Sequence, residues 1–401
     1  MHKLHRANAS IILANLLDHF DYNLYSFMAP IIAPLFFPQQ EPIVQLILAY
    51  SFLATSSVAR PIGVLIFGWL SSKIDPWKVL KITLIGVGFS TLLMGCLPTF
   101  ESVGYYAAIM LFCTRVFCNI FAAGEKTVAD ILIIEDKPYK DAVIANAFFG
   151  ISIMLGCAFA SWIAIVVSPI TWRIPFLCGG ILSFYALFLR YSHNYNRAQI
   201  DTRLVHKENS FVPSLKAVLI VVFAGGLSYV TYDLSFVLIN NYVPLVTSIK
   251  RECMMQWNSI LLIFDAIIII PIAYLIRQFR VEKVKQIASF MLFISGVPLY
   301  YFMQNASLIY VVIVRLWIVI LGIVFSSALT IWWIKFFPNK TKYFWIGISS
   351  AIGSAIIGRS TSFICLYGWH KTHLSVIPGL YLSAISLIVL LLTFDKKDLE
   401  Q

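Results

Sequence analysis

The polar side chains of this chain gather in a few places within long apolar stretches. Asp18, Asp21 and Tyr25 fall three to four residues apart, which puts them on one helical face, and Asn15 joins the same stripe. A second set follows at Arg115, Asn119 and Glu125. The later half is sparser, offering Tyr229, Tyr232, Asp233, Asp265, Arg315 and Arg359, the last within Gly358-Arg359-Ser360-Thr361-Ser362. A carboxylate beside a guanidinium can take and release a proton. A guanidinium also matches a carboxylate through two parallel hydrogen bonds. Arg115, Arg315 and Arg359 together supply more fixed positive charge than a neutral molecule needs, which tilts the reading toward a carboxylate-bearing or zwitterionic one. No phosphate-binding loop, nucleotide fold or zinc motif accompanies them, so neither cofactor nor metal is expected. The seven cysteines show no paired spacing and read as small apolar fillers.

What positions these groups is an apolar scaffold. The 401 residues are 60% hydrophobic and 12% charged, with mean hydropathy +0.83. Stretches long enough to span a bilayer read 11–36, 43–70, 78–97, 102–126, 142–167, 173–191, 214–242, 254–276, 287–303, 307–334, 342–366 and 374–394. They do not alternate in polarity, so they are helices and not barrel strands. An ionised side chain at helix centre costs roughly 2.5–3.5 kcal/mol in a membrane. Charges kept there are therefore paired or line a cavity. For these groups three readings stand: Asp21 or Asp18 pairing with Arg115 as a tie between two helices, a pair inside a central cavity that touches substrate or proton, or snorkelling at a helix end.

The net charge of +11 follows the same layout. Of the 30 Lys and Arg, 22 fall in the two tails and alternate connections, while Arg173, Lys250, Arg251 and Lys371 occupy the others. The positive-inside rule then places both termini in the cytoplasm. A basic surface against anionic headgroups accounts for the charge without nucleic acid. The longest polar connection divides the chain into a six-span bundle at 1–191, a cytoplasmic linker at 192–213 and a second six-span bundle at 214–401. Gly150, Gly156, Gly347, Gly353 and Gly358 suit close helix approach. Trp332 and Trp333, beside Lys335, suit an interfacial belt. The fold class is an all-α integral membrane protein of twelve helices in two pseudo-symmetric halves, which puts a site between the halves at mid-membrane.

Several motifs sharpen this. Asp18-His19-Phe20-Asp21-Tyr22-Asn23-Leu24-Tyr25 is similar to Glu-Trp-Tyr-Asp-Phe-x-Leu-Tyr. Arg60-Pro61, Gly63 and Phe67-Gly68 are similar to Arg-Pro-x-Gly-Gly-x-x-Phe-Gly, and Arg115 with Ala123-Gly124-Glu125 to Arg-x-x-Gln-Gly…Gly-Gly-Glu. Trp172-Arg173-Ile174-Pro175-Phe176 matches a further pattern unchanged. In this order and spacing they resemble the major facilitator superfamily. Within it they resemble the metabolite:proton symporter family, which includes bacterial proline/betaine, citrate, 2-oxoglutarate and shikimate transporters. The loop after the second span departs from that pattern, with Ser72 at the motif's Asp, Asp75 at its Gly and Pro76 at its final Arg. Ser72, Lys73 and Asp75 are accordingly the expected gating residues. Ser72 can cap a facing helix but cannot form an ion pair, which disfavours the outward-open state.

The resemblance implies a proton-coupled symporter of a small organic acid, amino acid or betaine, working by alternating access as a monomer in a bacterial inner membrane. It implies no enzyme activity. The substrate-facing residues expected are Asn15, Asp18, Asp21, Tyr25, Arg115, Asn119, Tyr229, Asp233, Arg315 and Arg359. Asp18, Asp21, Arg115 and Glu125 are expected to handle the proton. Two alternatives stay open: an exporter of a carboxylate-bearing metabolite, and a non-transporting sensor or scaffold of the same fold.

Overall fold

A computed structural model describes residues 2–73, 76–132, 137–167, 171–191, 213–337 and 342–394. Most of the 192–213 linker therefore lies outside the described residues. So do Asp75 and the side chains of Asp18, Ser72, Lys73 and Glu125.

The described helices group into twelve spans. The first bundle runs His2–Phe36, then Pro42–Ser57 continued by Ala59–Lys73, then Pro76–Cys96, Tyr106–Leu132, Tyr139–Val167 and Arg173–Tyr191. The second begins with a composite span of Leu215–Tyr232, a π-helical turn Asp233–Leu238, and Ile239–Val246. Arg251–Ile276 and Val281–Tyr301 are spans eight and nine, and span ten is Leu308–Ser326 plus Leu329–Ile334. Span eleven joins Lys342–Ile352, a π-helical turn Gly353–Gly358 and Thr361–Thr372, and Ile377–Phe394 is span twelve. Seven stretches, in spans two, four, five, seven, eight, ten and twelve, are by length and composition able to cross a membrane. The outward side chains include Ile62, Phe117, Ile267, Ile287 and Leu391, an apolar surface that suits lipid.

Span one packs on span five and span three on span six; in the second half span seven packs on span eleven and span nine on span twelve. The halves meet where span five lies along span eight and span two along span eleven. Two glycines set equivalent close approaches. A Cβ on Gly156 would sit 2.3 Å from the Leu16 carbonyl oxygen, and one on Gly353 would sit 2.0 Å from that of Val222. Each brings the fifth span of its bundle against the first. Gly150 differs, since the nearest atom to its Cβ position is Ile269 Cδ1 at 3.7 Å.

Two sequence expectations need correction. Residues 307–334 read as one continuous helix, but it breaks at Ser327–Ala328, where Ala328 adopts φ 60°. The buried Lys285 ammonium donates to the carbonyls of Phe325 and Ser327 there, satisfying oxygens that the break leaves without helical donors. That contact is tertiary and has no local sequence signal. Trp332 and Trp333 are not an interfacial belt either. They are 2% and 6% exposed, because the short helix after the break turns them inward.

Candidate central cavity between the two bundles

A cavity of about 250 Å³ lies between the bundles. Its wall is mainly apolar, as ligand cavities generally are, with a few convergent polar groups. His19, Asn23, Arg60 and Asn146 come from the first bundle; Tyr229, Tyr232, Asp265, Ser326 and Arg359 come from the second. Val64, Ala123, Trp333 and Gly347 also line it. These lie toward the helix ends that lead into the basic connections, so the cavity extends toward the basic face.

At its polar centre, guanidinium groups of opposite bundles converge. Arg60 and Arg359 donate to the same Asn119 Oδ1, at 3.4 and 3.2 Å. The Asn119 amide nitrogen donates to Ser56 Oγ at 3.1 Å and to the Arg115 carbonyl at 3.0 Å, which turns the amide oxygen toward the two arginines. Arg359 follows the π-helical turn, its backbone N–H reaching Ser354 O at 2.8 Å, and its guanidinium lies 5.7 Å from the Tyr229 ring centroid. Arg60 opens the second segment of span two, just past the interruption at Val58. Irregular backbone thus positions both arginines, as it commonly does at functional sites. A second bridge joins the bundles where the Tyr232 hydroxyl donates to Asn23 Oδ1 at 2.7 Å.

The sequence-predicted residues divide into two groups. Tyr229 and Arg359 line the cavity, and Asn119 organises the arginines. Asp21, Arg115 and Tyr25 come together one layer behind the wall. Arg115 lies 3.5 Å from Asp21 Oδ2 and 4.8 Å from the Tyr25 ring centroid, while Thr91 donates to Asp21 Oδ1 at 2.7 Å and Cys118 to Oδ2 at 3.2 Å. The Tyr25 hydroxyl donates to Ala49 O at 3.2 Å. Asn15 ties span one to span five through Ser152 at 2.8 Å. In the second bundle Asp233 accepts from Ser362 at 2.5 Å, and Arg315 donates to Ser235 O at 2.9 Å and to Asn258.

Arg60, His19, Asn23, Tyr232 and Asp265 were not among the predicted site residues. Arg60 carries a signal, as an arginine inside an apolar stretch, but it reads first as part of the span-two motif with Pro61 and Gly63. Asp265 carries the same kind of signal as an acid within span eight. His19 and Asn23 flank the acids of span one yet face the cavity, which helix periodicity applied to Asp18, Asp21 and Tyr25 leaves out.

The face opposite the basic one is held shut by polar contacts between the bundles. Across the bundles Arg251 donates to Phe27 O at 2.8 Å and Asn241 donates to the Tyr50 hydroxyl at 2.8 Å, while within the second bundle Arg251 also donates to Asn241 Oδ1 at 3.1 Å.

Two six-helix bundles with a cavity between them define a polytopic membrane protein of major-facilitator architecture. A crystal structure of a D-xylose–proton symporter superposes with TM-score 0.75 at 14% identity, over 96% of this chain and 97% of that one. A Staphylococcus aureus protein named "Putative proline/betaine transporter" is 26% identical over 406 residues, which cover 95% of this chain and 86% of that protein. The proline/betaine transporter of Escherichia coli is 28% identical over 199 residues, 47% of this chain and 40% of that one. No family model matches the chain. The fold is thus of the major-facilitator type, and the chain is similar over nearly its whole length to a protein named as a transporter.

Proposed function

We propose that this protein is a proton-coupled secondary transporter that moves a small carboxylate-bearing solute (an organic acid, amino acid or betaine) by alternating access. The observation that carries this reading is the convergence of Arg60 and Arg359, cavity-lining arginines from opposite bundles, on one amide oxygen. Asn119 Oδ1 bears only a partial charge, and a carboxylate entering the cavity would compete for those donors with a full one. A solute gripped by both halves couples its binding to their relative position, which is the requirement for alternating access. The relatives named for proline and betaine transport support a solute of this class. With the basic face in the cytoplasm, the cavity extends toward the inner side and the Arg251–Phe27 and Asn241–Tyr50 contacts form the outer closure. One chain supplies the whole cavity, which supports a functional monomer in the bacterial inner membrane.

The test is uptake of radiolabelled proline, glycine betaine, succinate and citrate into proteoliposomes under an imposed pH gradient. At least one should accumulate above protein-free vesicles, with collapse of the gradient abolishing accumulation. If none of the four moves, the reading fails and the sensor or scaffold alternative takes its place.

A further inference from the structure

Among the acids of the described residues, Asp265 is the one that lines the central cavity. It is 4% exposed, and its Oδ1 has no hydrogen-bond partner. The other buried acids are engaged, Asp21 by Arg115 and Thr91 and Asp233 by Ser362. An unsatisfied carboxylate on a mainly apolar wall is costly to keep ionised. It is stable there as the neutral acid, or ionised with water or a cation against it, so its charge state follows what occupies the cavity.

The groups that share its surroundings are occupied elsewhere. Span eight packs against spans five, seven and ten. In span ten, Arg315 is directed to Ser235 O and Asn258, and the Tyr310 hydroxyl to Leu299 O at 3.0 Å. In span seven, Tyr232 is bonded to Asn23, Tyr242 to Ser375 O at 2.8 Å, and Tyr229 lies beside Arg359. Span five has its titratable groups at its start, with Tyr139 on Phe279 O at 3.4 Å and Lys140 and Asp141 exposed. Across the cavity His19 Nδ1 is 3.0 Å from Asn15 O, and Arg60 and Arg359 meet at Asn119.

We propose that Asp265, and not the Asp21–Arg115 pair, carries the proton whose movement drives solute transport. This rests on the transport reading above. The carboxylate takes one proton from water on the outer side and returns it to water on the inner side after the bundles rock. The net result is one proton moved per cycle, with no other bond made or broken. Asp21 is poorly placed for that role because its oxygens are held by Thr91, Cys118 and Arg115 behind the wall.

The test uses purified wild type, Asp265→Asn and Asp265→Glu in proteoliposomes, with whichever of proline, glycine betaine, succinate or citrate the wild type carries. Asp265→Asn should lower gradient-driven accumulation to an inside-to-outside ratio of about 1, while equal-pH exchange falls by no more than about threefold. Asp265→Glu should restore accumulation. Infrared difference spectra of solute-free protein should show a neutral-carboxyl band that wild type loses on alkalinisation and Asp265→Asn lacks. Accumulation by Asp265→Asn at the wild-type level overturns the proposal, as do identical infrared titrations. Loss of exchange together with accumulation for an ammonium-bearing solute alone, with a retained pH-driven response to the others, makes Asp265 a cation-binding residue and also overturns it. Failure of the transport reading shows in wild type, whereas failure of this one shows only in the variants.

Discussion

Arg115 and Arg315 occupy equivalent places in the two bundles and are neutralised in different ways. Each sits on the fourth span of its half, is at most 1% exposed, and lies near an aromatic ring of the first span: Tyr25 at 4.8 Å and Phe236 at 5.9 Å. Four residues before Tyr25 comes Asp21, which gives Arg115 an ionic partner. Four residues before Phe236 comes Tyr232, whose hydroxyl reaches across to the other bundle instead. Arg315 therefore relies on dipoles. The π-helical turn Asp233–Leu238 presents the Ser235 carbonyl to it, and Asn258 supplies an amide oxygen. The first half confines charge to a pair, while the second spreads one charge over neutral acceptors and leaves its own acid, Asp265, facing the cavity.

The largest consequence follows from breaking the pair. Removing one partner of a buried ion pair strands the other and costs about 3–5 kcal/mol. Asp21→Ala should lower the stability of detergent-solubilised protein by that much, and Asp21→Ala with Arg115→Met should recover most of it. Arg315→Met leaves only neutral acceptors unsatisfied, so its cost should stay near 1–3 kcal/mol, roughly that of an orphaned hydrogen-bond partner. Chemical unfolding of the four proteins decides it. If Arg315→Met proves the more damaging, the contrast between a paired and a dipole-solvated arginine is wrong.

The arginines that meet at Asn119 sharpen the contrast at the cavity, where the two halves act alike. A charge-assisted hydrogen bond contributes about 1.5–3 kcal/mol. Arg60→Gln and Arg359→Gln should therefore each weaken apparent affinity for the carried solute by roughly 10- to 150-fold. Equal losses would show that both bundles grip the solute. A loss confined to one variant would assign recognition to that half alone.

The helix-crossing glycines come next, and again the two halves should agree. Gly156→Ala and Gly353→Ala press a methyl onto a backbone carbonyl that cannot rotate away. Each should cost about 1–3 kcal/mol by overpacking. Gly150→Ala meets only the end of the Ile269 side chain and should stay within about 0.5 kcal/mol of wild type. A thermal-stability assay on the three variants separates these outcomes.

The architecture was legible because spanning segments leave a strong, local hydrophobic signal; the expected 254–276 and 374–394 nearly coincide with helices Arg251–Ile276 and Ile377–Phe394. Polarity at depth also found the charged groups. It could not sort them into those facing the cavity and those behind its wall, because the sorting depends on the rotation of each helix. Asp21 and Asn23 are two residues apart, yet one meets Arg115 and the other the cavity. The breaks at Ser327–Ala328 and Gly353–Gly358 were illegible for a related reason. The first is stabilised by Lys285, 42 residues distant from Ser327, and the second by packing of Gly353 and Gly358 on span seven.

The smallest expected effect concerns where the second bundle keeps an ion pair of its own. Glu282, ahead of the apolar stretch 287–303, accepts from Lys335 Nζ at 2.7 Å, with both side chains substantially exposed at 41% and 53%. Partial burial alone would raise the Glu282 pKa, but the Lys335 hydrogen bond, a backbone hydrogen bond, and the Lys335 and Arg280 charges outweigh it and hold it below its ordinary 4.5. A depressed carboxylate pKa means stability that is present above the unfolded-state value and lost as pH falls through the folded-state value. Solvent screens an exposed pair, so the contribution should be only about 0.2–1 kcal/mol. Lys335→Met should therefore unfold slightly more easily than wild type at neutral pH and low salt. The difference should close when Glu282 is protonated, and also in about 1 M salt, where the screening length falls to roughly 3 Å. A difference that persists in acid and in high salt would come from the lysine stem packing against the short helix after the span-ten break, and the pair would then contribute nothing. The buried pair of the first bundle should keep its effect in the same salt, since no counterion reaches Asp21 or Arg115.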